Sequence, residues 1–82
     1  MSYEPGQDEQ IFWLDLGEMG CGELLLKIKL QMAIQAPGSV LELHATDLGA
    51  LEDIPAWCRM TGHLLLRHDA VRSLYWIERR PH

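Results

Sequence analysis

Apolar residues follow two different rhythms along this chain. Ile11-Phe12-Trp13-Leu14-Asp15 is a short β-type run, and the pattern breaks into a turn between Gly17 and Gly20. From Gly22 to about Ala36 the rhythm is helical. Leu25, Ile28, Met32 and Ala36 are expected to face the core, and Glu23, Lys27, Gln31 and Gln35 the solvent. Leu26, Leu30 and Ile34 make a second stripe, assigned to the flank of the core, with an exposed apolar strip for a partner as the alternative. Pro37-Gly38 stops this helix. Ser39 to Ala45 reads as the second strand, with Val40, Leu41 and Leu43 buried and Glu42 and His44 sharing the other face. After the turn Thr46 to Gly49, a second helix fits from about Leu51 to Thr61. Ile54, Trp57, Cys58 and Met60 or Thr61 lie near one side of it, and Pro55 falls in its first turn or so. Gly62 ends it, His63 to His68 is the third strand, Asp69 to Arg72 a turn, and Ser73 to Arg79 the fourth strand.

The order β-α-β-α-β-β implies a parallel first pair of strands joined by a crossover helix, and a closing antiparallel hairpin. The simplest packing is an α/β two-layer sandwich, with two helices on one face of a four-stranded mixed sheet. The other sheet face then stays wet or covers a partner. Residues 11–82 are read as a single domain and residues 1–10, polar and without periodicity, as a loose tail.

Composition narrows the function. A formal net charge of −5 argues against broad affinity for nucleic acid. No apolar run reaches the roughly 20 residues of a membrane span, and the acidic N-terminus lacks the pattern of a signal peptide. Two cysteines are too few for a disulfide scaffold, so a reducing, cytoplasmic setting is expected. Acidic residues crowd the first part of the chain and Arg59, Arg67, Arg72, Arg79 and Arg80 the second; both are read mainly as solvated surface, with an acidic partner as a use for Arg79-Arg80.

Cys21 is the candidate reactive group. It stands at or beside a helix N-terminus, where free backbone N–H groups and the helix dipole favour an anion and enlarge a thiolate fraction. Cys58 is read as a core residue, with a resolving partner for Cys21 as the alternative. His63 is read as a hydrogen-bonded structural histidine. No cysteine or histidine spacing supports a metal site, and no glycine-rich phosphate loop or serine or lysine nucleophile signature is present, so no cofactor is expected.

Leu14-Asp15 ahead of Cys21, Asp53-Ile54-Pro55-Ala56-Trp57-Cys58 and Gly62-His63-Leu64-Leu65, at these separations, resemble segments of the TusA/SirA-like family of small sulfur carriers. The resemblance covers about residues 11–80 and implies a βαβαββ sandwich similar to the C-terminal domain of translation initiation factor three. It implies that Cys21 carries a persulfide from a cysteine desulfurase or other sulfur donor to a downstream acceptor, in tRNA thiolation or another branch of sulfur metabolism. Asp15, Gly22, Glu23, Lys27 and Lys29 would support the site or dock protein partners, without direct contact to nucleic acid or membrane. The family signature Cys-Pro-x-Pro reads Cys21-Gly22-Glu23-Leu24 here, so both prolines are absent. Glycine presets the helix less than proline, and Glu18 and Glu23 bring negative charge near the thiol, so a less acidic Cys21 is expected. The alternative is a non-catalytic interaction or regulatory module on the same scaffold, using the Leu26/Leu30/Ile34 stripe.

Overall fold

The β-branched and aromatic run at the start of the domain forms strand β1, Ile11–Gly17, and Val40–Ala45 forms β2 beside it, parallel, as the crossover demands. The structure, a computed structural model, describes residues 11–80; the tail read over residues 1–10 lies outside them. Helix α1, Cys21–Ile34, makes the crossover, and α2, Ala50–Thr61, leads to the antiparallel pair β3, Leu64–Asp69, and β4, Leu74–Glu78. The expected two-layer sandwich is present, with strand order β1-β2-β4-β3. β4 therefore sits inside the sheet, antiparallel to both β2 and β3.

The core lies between the helices and one sheet face. Leu41 and Leu43 of β2 and Tyr75 and Ile77 of β4 meet Leu24, Ile28 and Met32 of α1 and Ile54, Trp57 and Cys58 of α2. The inward face of α1 holds Ile28 and Met32 as the sequence reading had it, but differs at its two ends. Leu24, Ile28 and Met32 point inward, Leu25 is only half-buried, and Ala36 is exposed beyond the helix end. Three consecutive leucines at Leu24-Leu25-Leu26 leave the phase undetermined in sequence. The second stripe is not a flank of the core. Leu26, Leu30 and Ile34 are 52, 55 and 79% exposed, so α1 is apolar on two opposite sides. Gln35, assigned to solvent, is buried at 3% because the helix stops at Ile34 and the extended Gln35 turns inward, donating from Nε2 to Ser39 Oγ at 2.9 Å. Met60 is exposed, whereas Trp57 and Cys58 are buried as read.

Pro55 stands in the second turn of α2, where its missing N–H removes the bond that would reach the Leu51 carbonyl. Gly62 ends the helix in the left-handed region at φ +84°, its N–H donating to the Cys58 carbonyl at 2.9 Å. On the outer sheet face, Trp13, Glu42, Trp76 and Arg67 stand in one cross-strand row, and the Arg67 guanidinium lies 5.1 Å from the Trp76 ring centroid.

Candidate functional site

The backbone between β1 and α1 is fastened at several points. Asp15 stands opposite His44 in the parallel register, and its Oδ1 lies 2.8 Å from His44 Nδ1. The same oxygen accepts the Gly17 N–H at 3.0 Å, a local turn that short acidic side chains make readily. Gly17 has φ +53°, which glycine adopts without strain. Its carbonyl accepts the Thr46 N–H at 2.8 Å and the Thr46 hydroxyl at 3.0 Å. The Met19 N–H returns to the Leu16 carbonyl at 3.0 Å, and α1 begins two residues later. Asp15 thus ties the end of β1 to β2 immediately ahead of the turn. The His44 hydrogen bond, helped by the Gly17 N–H, holds its carboxyl below the usual carboxylate range.

Cys21 is the first residue of α1 and Gly20 its cap, with no side chain closing the helix end. The first intrahelical bond runs from the Leu24 N–H to the Gly20 carbonyl at 2.8 Å. The N–H groups of Cys21, Gly22 and Glu23 therefore belong to the open first turn, the positive end of the helix dipole. Glu23 is exposed in that turn and offsets part of this field. A Cβ on Gly22 or on Gly20 would meet nothing within 4 Å, so neither glycine is required by crowding.

The other candidates do not gather around this turn. Lys27 and Lys29 are exposed along α1, and Lys29 lines a groove toward the far end of the helix. Cys58 is a free, buried thiol, and burial pushes its pKa up to about 11. His63 packs beside Trp57, with ring centroids 5.2 Å apart, and its Nδ1 accepts the Arg80 N–H at 3.0 Å, a structural role as read. Burial, then the nearby Arg80 and Arg79 charges, lower its pKa. Arg79 and Arg80 are not merely solvated. Arg79 Nε donates to the Met32 carbonyl at 2.6 Å and Arg80 Nη1 to the Thr61 carbonyl, so each secures the end of a helix. Sequence reasoning missed His44 and Thr46 as partners of the turn. The signal was the parallel register, which once set places Asp15 beside His44.

Among the described residues no helix is long and apolar enough to cross a membrane. Residues 13–78 match the family model described as Sulfurtransferase TusA. The chain is 35% identical over 69 residues to the sulfur carrier protein TusA of Pseudomonas putida (strain GB-1), covering 82% of this chain and 86% of that one. It is 34% identical over 68 residues to YrkI of Bacillus subtilis (strain 168), covering 80% and 91%. A match of 40% identity over 57 residues to YrkF of the same organism covers 70% of this chain but only 31% of that longer protein. With the sandwich fold in place and the family match spanning nearly all of it, the chain belongs to the TusA family of sulfur carriers.

Proposed function

We propose that Cys21 carries sulfur as a persulfide between two protein partners in a cytoplasmic relay. The observation that carries this reading is the place of Cys21 at the open first turn of α1 in a chain of the TusA family. The Cys21 thiolate attacks the terminal sulfur of a donor persulfide, such as that of a cysteine desulfurase. Its S–S bond forms as the donor's S–S bond breaks, and the donor leaves as a thiolate. An acceptor then removes the terminal sulfur and returns Cys21 to its thiolate. The free N–H groups of the first turn stabilise the anionic sulfur at each stage. Asp15 positions the strand-to-helix turn through His44 and Gly17, and Gly22 adds no side chain next to Cys21. Glu23 and Lys27 present charge to the docking protein.

The test is sulfur loading by a desulfurase and cysteine, followed by intact-mass spectrometry. A mass gain of one sulfur atom is expected in wild type and Cys58→Ser, and none in Cys21→Ser. Loading of Cys21→Ser overturns the assignment.

The exposed Leu26/Leu30/Ile34 stripe favours a second reading, a non-catalytic interaction module. In that case wild type fails to load, and Leu30→Glu abolishes a complex that Cys21→Ser leaves intact.

A further inference from the structure

α1 and α2 finish at one end of the molecule, where β4 runs out into Arg79 and Arg80. A groove of about 410 Å³ lies between them, bordered by Lys29, Arg79, Arg80 and His63, with Trp57 and Met60 among its apolar walls. Among the described residues no carboxylate lines it. In a chain of net charge −5 this is a local concentration of positive charge. The two arginines are held in place by the helix-end carbonyls of Met32 and Thr61, and among the described residues neither forms an ion pair with a carboxylate. A guanidinium has five N–H donors. Among the described residues Arg79 uses Nε and one terminal nitrogen, and Arg80 one terminal nitrogen, which leaves each with donors for an incoming anion.

We propose that this groove docks an acidic peptide segment of a partner protein, one that presents carboxylates together with an apolar side chain. Carboxylates match the fixed arginine donors and the mobile Lys29 ammonium. The apolar side chain covers Met60, which stands 78% exposed at the rim. The apolar wall is wasted on inorganic phosphate. A polynucleotide gains little from a single pocket on an acidic protein. On α1 the groove runs from Lys29 to Ala33, eight to twelve residues past Cys21, so it lies roughly 12–18 Å along the helix from Cys21. A partner held here leaves the other end of the helix free for sulfur exchange, so recognition and chemistry occupy separate surfaces. The proposal does not depend on persulfide chemistry.

Fluorescence anisotropy with a fluorescein-labelled peptide of alternating Glu and Leu tests it, with a Lys/Leu peptide as control. The full chain is expected to bind the acidic peptide and not the control, more weakly as salt rises. Lys29→Glu and Met60→Glu, both at exposed positions, should each weaken binding by about tenfold or more, roughly what loss of one good interfacial contact costs. Cys21→Ser should bind as wild type does, which separates this surface from the sulfur site. Equal binding of both peptides, no binding, unchanged affinity in Lys29→Glu, or displacement by low millimolar inorganic phosphate overturns the proposal. So does binding that emerges only after removal of residues 1–10, because Glu4, Asp8 and Glu9 would then be the groove's own occupant.

Discussion

The two cysteines differ in what surrounds them. Cys58 is buried among core side chains, and burial raises its pKa to about 11, against an ordinary thiol value of about 8.5. Only the thiolate reacts. Native protein treated with iodoacetamide at about pH 8 should therefore gain one adduct, on Cys21, with Cys58 reacting only after unfolding; intact mass before and after denaturant checks this. The same shift has a sign in stability. Between about 8.5 and about 11 the folded protein keeps a proton that the unfolded chain has lost. The contribution of Cys58 is thus complete below about pH 8.5 and disappears as pH rises through about 11. Much of this scale was legible in sequence: Cys21 at a helix start, Cys58 inside, His63 hydrogen-bonded. Gln35 was not, because its burial depends on where the helix stops rather than on its position in the ladder.

At the scale of elements, α1 is the informative case. An amphipathic helix shows one apolar stripe, and α1 shows two. Ile28→Ala should cost roughly 2–5 kcal/mol, the usual range for a large-to-small core change. Leu26→Ala, at an exposed position, should stay within about 0.5 kcal/mol. Urea unfolding of the two variants measures both, and equal losses would return Leu26 to the core. The existence and type of every element could be read from periodicity and from the stops at Gly62 and Pro37-Gly38. Strand ends moved by a residue or two because backbone pairing, not composition, sets them. At the last turn Ser73 takes φ +58°, a left-handed conformation unusual for serine, while Asp69 Oδ1 accepts the N–H groups of Val71 and Arg72. Nothing in the residue type at Ser73 announced that conformation.

At the scale of the whole molecule, His63 should be one source of acid sensitivity. Its pKa is lowered in the fold, and as a neutral ring it accepts the Arg80 N–H from Nδ1, a bond the protonated ring cannot accept. A depressed folded pKa means that this contribution is complete above about pH 6.5 and is lost as pH falls. Thermal melts should show a falling Tm from about pH 6.5 to pH 5. His63→Asn, whose carbonyl can take over the Arg80 N–H, should show a shallower fall; an identical slope would assign the acid sensitivity elsewhere. The layer arrangement followed from element order, but the strand order did not, since a hairpin can add to either edge of a parallel pair. Burial of Tyr75 and Ile77 against both helices selects the interior position for β4.

That interior place has a consequence for how the chain is made. β1 and β2 emerge early and β3 later, yet the strand that joins them is β4, residues 74–78, the last of the set to leave the ribosome. Until then β3 has no neighbour in the sheet, and Leu41 and Leu43 lack the Ile77 and Tyr75 that register beside them. The sheet can be completed only once β4 is available, through the long-range pairing of β2 with β4. An emerging chain is vulnerable to proteases and to wrong pairing until its final strand is out.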